Sequence, residues 1–366
     1  RRLSMTKAAE LAKMGEVLTN SQIGGRRNII INGAMQVAQR GTSVTGISGD
    51  GYQALDRYLV SMGNTAGRFT MAQVADIHDG FANAMKLTCT TADTSIASNE
   101  RLIIKTSFEG QDLQQIKKGT SDAEKLTLSF YVKGNASATY TCELADDDNT
   151  RYVAQEFPVT TDWVRIVKTF VADTTGAFDD DNAKSMSVNF WLHAGSDFTG
   201  GTFSSNTVHT TSNQRVGDNQ TSFFDSTDRT FFITGIQLEV GSQATPFEHR
   251  SFGEELALCQ RYFCQFTDPS SMIGHGSYQR SDFADVNVQF PVPMRSAPSV
   301  VQTSGTNFYG ITRNDANEFF DDFTQAFTSS NKNILLIPNK SLSGTQGIPA
   351  RIFTQSSGSV AFNAEL

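Results

Sequence analysis

Apolar and polar residues alternate with a period of two through much of this chain. Over 126–133, Leu126, Leu128, Phe130 and Val132 fall on one face and Thr127, Ser129, Tyr131 and Lys133 on the other. That is the pattern of a strand with one buried side. Over 186–193 the apolar face is Met186, Val188, Phe190 and Leu192. The same alternation predicts strands near 69–75, 84–90, 102–108, 139–144, 163–171 and 230–240. Short strands separated by Gly, Asp and Asn turns predict a mainly β chain whose large domain, 26–250, is an antiparallel jelly-roll β-sandwich. Between its last strands, 195–228 is long, polar and rich in Ser and Thr, a length that marks a functional or interface loop.

The pattern changes character after Val240. Ile236, Leu238 and Val240 fit a strand with one buried face, and the run from Gly241 to Pro246 breaks it. Ser251 and Glu254 have capping-box spacing, and Phe252, Leu256, Cys259 and Phe263 recur at helical spacing. We therefore expect a short linker helix over 251–264, then a smaller β-sandwich over 265–366. Strands there are predicted at 286–290, 334–337, 351–355 and 359–365. At the other end, 4–15 reads as a short helix and 17–25 as an extended linker, so 1–25 is expected to serve as an attachment segment or stalk.

Composition narrows the function. A net charge of −8 with a pI near 5.2 argues against nucleic acid, which needs clustered Lys and Arg. No apolar run reaches membrane-spanning length, so membrane insertion is not expected, and the N-terminus is polar rather than signal-like. Cys89, Cys142, Cys259 and Cys264 lack framework spacing and are expected to be buried free thiols, as in a protein made in a reducing cytosol.

No nucleophile elbow, P-loop or dinucleotide fingerprint occurs, and His78, His193, His209, His249 and His275 lack zinc-ligand spacing. The chain is therefore not expected to be an enzyme. Two acidic clusters, Asp146-Asp147-Asp148-Asn149 and Asp179-Asp180-Asp181-Asn182, read as solvated hairpin turns. A structural Ca²⁺ is their alternative, and no other cofactor is expected. Alternation puts Trp191 on the polar face with Ser187, Asn189 and His193. A sugar offers an apolar ring face and hydroxyls, so an aromatic beside amide and imidazole partners suits it. Tyr131 joins that face if its strand is a neighbour. The competing reading is that the long polar loop or another subunit covers the face. Trp163, at the start of a strand, is expected in the core.

Several segments carry a family resemblance. QLEVGS, TPFEHRS and GEELALCQRYF around the joint, RRNIIINGAMQVAQRG over 26–41 with Leu55-Asp56-Arg57-Tyr58 after it, FPVPMRSAPSV over 290–300, and the ending FNAEL resemble tail fibre and receptor-binding proteins of tailed bacteriophages. The resemblance covers roughly 26–366. It implies a homotrimeric virion protein with a carbohydrate-binding-module-like first domain. The N-terminus would join phage tail, adaptor or baseplate proteins, and the partner at the host would be bacterial surface polysaccharide. The terminal domain would lie distally, making Tyr278, Phe308 and Tyr309, set among Gly, Asn and Asp, further receptor contacts. Two alternatives remain at this level: a purely structural head fibre or tail adaptor, and a carbohydrate-binding module of a secreted glycosidase.

Overall fold

The alternating segments do form strands. A computed structural model describes residues 7, 27–75, 78–313 and 316–366; the attachment segment expected over 1–25 lies outside the described residues apart from Lys7. The chain divides into two compact units, one ending at Arg250 and one running Ser251–Leu366.

The first unit holds β1 (Ser43–Ile47), β2 (Gly51–Tyr52), β3 (Leu59–Gly63), β4 (Arg68–Val74), β5 (Ala84–Thr91), β6 (Arg101–Glu109), β7 (Leu126–Gly134), β8 (Ala138–Asp146), β9 (Arg151–Val159), β10 (Val164–Phe170), β11 (Lys184–Ala194) and β12 (Thr230–Val240). They make two six-stranded antiparallel sheets, β1-β4-β5-β12-β7-β10 and β2-β3-β6-β11-β8-β9, a jelly-roll sandwich. The inward sides interdigitate in one core. Phe130 of the first sheet meets Phe157 and Phe190 of the second edge-on, with centroids 5.0 and 5.1 Å away. Such pairs contribute about 0.5–1.5 kcal/mol each beyond their buried area.

The segments that carry the family resemblance turn out to be partners in this fold. Asn28 donates its side-chain amide to Ile236 O (3.1 Å) and accepts from the N–H groups of Ile30 and Leu238. Glu248 accepts from the N–H groups of Arg27 and Asn28, and Arg250 donates to the carbonyls of Asn28 and Ile30. The two ends of the sandwich are thus stitched through the very residues of the motifs. Gly33 belongs to the same seam: a Cβ there would lie 2.1 Å from Ile236 O, so only glycine lets the backbones approach. Within the opening motif, Asn32 bonds Val37 and the Asp56 carbonyl, while Asp56 accepts from Gln39. These residues build the fold.

The second unit opens on helix α1 (Phe252–Gln260), capped as expected by the reciprocal Ser251–Glu254 box. Its buried face differs from expectation. Cys259 is buried, but Phe252 is 57% exposed, and Phe263 already belongs to a strand. Nor is the helix a free linker. Its end is tied into the unit by bonds from the N–H of Arg295 to Arg261 O and from that of Ala364 to Tyr262 O.

The strands that follow are β13 (Phe263–Thr267), β14 (Met272–Arg280), β15 (Phe283–Gln289), β16 (Ser299–Gln302), β17 (Tyr309–Arg313), β18 (Ala316–Phe320), β19 (Phe323–Ser329), β20 (Asn333–Pro338), β21 (Pro349–Thr354) and β22 (Val360–Asn363). A three-stranded sheet, β13-β22-β16, and a seven-stranded one, β18-β17-β21-β14-β15-β20-β19, enclose a second core.

All four cysteines are free and buried. Burial pushes the Cys89 thiol up to about 11 and the Cys142 thiol up to about 12.

Candidate ligand-binding site

Three strands of the second sheet set one rung of outward side chains: Lys105 on β6 pairs with Asn189 on β11, which pairs with Glu143 on β8. Arg101, Ile103 and Lys105 share a face because strand positions repeat every second residue, as do Ser187, Asn189 and Trp191. The long segment between β11 and β12 crosses this face. It carries a short helical turn, Ser196–Thr199, and brings in Phe198, Arg215 and Val216.

Trp191, read either as a sugar platform or as covered by the long polar loop, is 0% exposed. Its ring packs in a small apolar cluster with Ile103 and Val216, with the Phe198 ring centroid 5.0 Å away and the Arg215 guanidinium 4.9 Å from its own. Its indole N–H donates to Glu143 (3.0 Å). No sugar can stack there; the covering loop has taken the place. His193 is likewise buried, between Glu100 (2.9 Å) and Ser222 (2.8 Å). Tyr131 does not join the face, since β7 and β11 lie in different sheets. It stacks instead on His78 (4.2 Å) beside Phe81. Trp163 is only half-buried, beneath Lys133, rather than in the core.

What remains open beside Trp191 is a pocket of about 230 Å³, lined on its polar side by Arg101, Lys105, Asp147, Asn189 and Arg215, with Tyr152 as a further wall. Glu143, 0% exposed, organises it. Arg215 donates to both its oxygens (2.8 and 2.7 Å), and Asn189 Nδ2 and Trp191 Nε1 donate to Oε2. The same guanidinium lies 3.9 Å from the centroid of Tyr152. Burial alone would weaken the Arg215 charge, yet Glu143 holds its pKa above the ordinary value. A carboxylate can only accept, so Asn189 must present its NH₂ to Glu143, and its Oδ1 is left over. That oxygen is buried with no donor.

Lys105, half-buried, is the second group. Among the described residues it has no carboxylate within ion-pair distance: Asp147 pairs with Lys184 (2.7 Å) and Asp50 with Arg101 (3.8 Å). Burial, and next the neighbouring Lys184, lower its pKa.

The first acidic cluster has a lysine beside it. The Lys118 ammonium sits among Asp146 (2.6 Å), Asp173 (3.2 Å) and the carbonyls of Thr175 (2.7 Å) and Gly176 (2.6 Å), an oxygen cage filled by the protein's own cation. Asp148 accepts from the Asp179 N–H and Asp181 from that of Ala183. Among the described residues no group of three His, Cys, Asp or Glu could hold a metal ion.

In the second unit, Tyr278 and Tyr309 are strand residues of the core rather than loop aromatics. Phe308 is half-buried and lines an open hollow of about 310 Å³ with Asn307, Phe319 and Gln355.

Glu143, Arg215 and Lys105 were not anticipated from sequence. Glu143 and Lys105 were findable, as charges on the outward parity of apolar strands. Arg215 lies in a loop without periodicity and carries no such signal.

No protein-family model matches the chain. No curated protein matches it either. Among solved structures the chain is similar to a family 11 carbohydrate-binding module from Clostridium thermocellum solved with a mixed-linked tetrasaccharide (11% identity, 56% of this chain and 99% of that one, TM-score 0.29). It is similar also to the module TmCBM61 solved with a galactotriose (10%, 59% and 99%, TM-score 0.30). A third is the enzymatically active domain of bacteriophage CBA120 tailspike protein 4 (10%, 58% and 21%, TM-score 0.29).

Proposed function

We propose that this chain is a receptor-binding virion protein of a tailed bacteriophage, a homotrimeric tail fibre that attaches the particle to bacterial surface glycan without chemistry of its own. The observation that carries the binding half is the pocket on the outer sheet face, where, among the described residues, a buried amide oxygen has no donor and a half-buried lysine has no carboxylate. A buried acceptor without a donor costs free energy, and a ligand hydroxyl would supply the donor. The virion half rests on the resemblance of residues 26 to 366. Pockets that enclose drug-sized ligands run to about 300–1,000 Å³. This one, at about 230 Å³, suits one terminal or branching sugar of a surface polymer.

The test is binding of the purified protein to an array of bacterial surface polysaccharides, alongside an Asn189→Ala, Lys105→Ala variant that keeps the wild-type circular dichroism spectrum. Binding by the wild type and not by the variant is expected. If neither binds any member, the structural-appendage reading replaces this one. Light scattering should give three times the 39.9 kDa chain mass, and a labelled antibody should decorate tails in electron micrographs of particles.

A further inference from the structure

We propose, building on the glycan-binding reading above, that this pocket selects an acidic sugar: Lys105 takes the carboxylate, and a neighbouring hydroxyl donates to Asn189 Oδ1. Charge at the site is the first ground. Arg101, Lys105, Lys184 and Arg215 meet three carboxylates, Asp50, Asp147 and Glu143, and each carboxylate is already engaged by one of the other three cations. The surplus cation is Lys105, which lines the pocket. Among the described residues this half-buried ammonium has no carboxylate, and a ligand carboxylate would give it a charge-assisted partner.

The second ground is the orientation of Asn189. Its NH₂ is fixed on Glu143 at 2.8 Å, and Glu143 is itself fixed by Arg215 from the far side. The amide therefore cannot turn to offer a donor, and the atom left over on this lining residue is an acceptor. Lys105 and Asn189 are opposed in the same rung, so one sugar ring bearing a carboxylate beside a hydroxyl reaches both. Asn189 is 2% exposed, so a ligand hydroxyl reaches its oxygen only when neighbouring side chains give way. A neutral sugar satisfies Asn189 alone and leaves the lysine without a counter-charge.

The experiment is calorimetric titration with uronic-acid-terminated oligosaccharides, each paired with its carboxyl-reduced counterpart. The acidic member of a pair is expected to bind about tenfold tighter or better, as a charge-assisted hydrogen bond implies. That preference should narrow as sodium chloride is raised. Lys105→Gln should bind both members alike, and Lys105→Arg should keep the preference. Equal wild-type affinity within every pair overturns the acidic-sugar proposal and leaves the glycan-binding reading standing. Failure to bind any member in either charge state, together with silence on the polysaccharide array, overturns both.

Discussion

Arg215 closes on Glu143 through two hydrogen bonds, Nε to Oε1 at 2.8 Å and Nη2 to Oε2 at 2.7 Å, and so pins a loop across an otherwise open sheet. The pair is well buried, with side chains 15% and 0% exposed. Glu143→Gln keeps the shape and removes the charge, leaving Arg215 against a neutral amide. Loss of one partner of a buried pair should cost about 3 kcal/mol in urea unfolding of the protein. Glu143→Leu with Arg215→Met removes both desolvated charges but leaves the Asn189 amide and the Trp191 N–H without their acceptor, so it should recover only part of that. A double variant no more stable than Glu143→Gln would contradict this account of the pair.

The Lys118 cage makes a separate prediction. Its ammonium stands where a bound cation would otherwise be required, so added Ca²⁺ should leave the melting temperature unchanged and chelator should not lower it. Lys118→Met leaves Asp146 and Asp173 facing each other and should cost about 3 kcal/mol. Burial alone would raise the Asp173 pKa, but its bonds to Arg151, the Thr175 N–H and Lys118 prevail and hold it below the ordinary value. Its stabilisation is therefore complete above the unfolded carboxylate pKa, about 3.9. It is lost as pH falls through the lower folded value. Acid unfolding of Lys118→Met should begin at higher pH than that of the wild type.

The cysteines are expected to be silent. Burial raises the Cys89 and Cys142 thiols to about 11 and about 12, so little thiolate exists near neutrality. A folded sample should resist thiol reagents, and reductant should not shift its melting temperature, since no disulfide is present among the buried thiols. Rapid labelling in native buffer would count against this packing.

Two adjacent aromatics in the terminal unit should behave oppositely. Tyr309 is fully buried, with the carbonyls of Thr303 (2.7 Å) and Ser359 (2.8 Å) both within reach of its single O–H donor. Tyr309→Ala should cost about 3–5 kcal/mol. Phe308 only rests against that core while lining the open hollow, so Phe308→Ala should cost about 1 kcal/mol. Comparison of their urea midpoints checks the assignment. Only the Phe308 variant is a fair probe of ligand contact at this hollow.

The strands were legible because alternation is local: Leu126, Leu128, Phe130 and Val132 face the core as their parity requires. The capping box at Ser251 was legible for the same reason, being contained within four residues. What escaped depends on long-range placement. Parity puts Trp191 on the outer face and leaves open whether the loop covers it; which loop residues do so, Phe198, Val216 and Arg215, is not written in the strand. Tyr131 has the right parity and the wrong sheet, because strand order is not encoded within one strand. β9 was missed, since Gln155, Glu156 and Pro158 interrupt its alternation. The motif residues Asn28, Glu248 and Arg250 were visible as words, yet their meeting across some two hundred positions was not.

The last prediction joins the pocket to pH. Burial, and after it Lys184, holds the Lys105 pKa below that of an ordinary lysine, about 10.4. The unfolded chain therefore binds this proton more tightly than the folded one, and at neutral pH the charged Lys105 is a cost to folding. Lys105→Gln should accordingly be as stable as the wild type or more so near pH 7, with any advantage fading as pH rises through the depressed value. Ligand affinity runs on the same proton. An acidic sugar needs the ammonium, so its affinity should hold through neutrality and fall as pH rises through the Lys105 pKa, earlier than a free lysine would dictate. Asp50, Asp147, Tyr152, Lys184, Arg101 and Arg215 also face or flank the pocket. The Lys105→Gln protein carries all of them and serves as the control. A matching alkaline loss of affinity in that variant would assign the titration to one of those groups and remove Lys105 from the binding step.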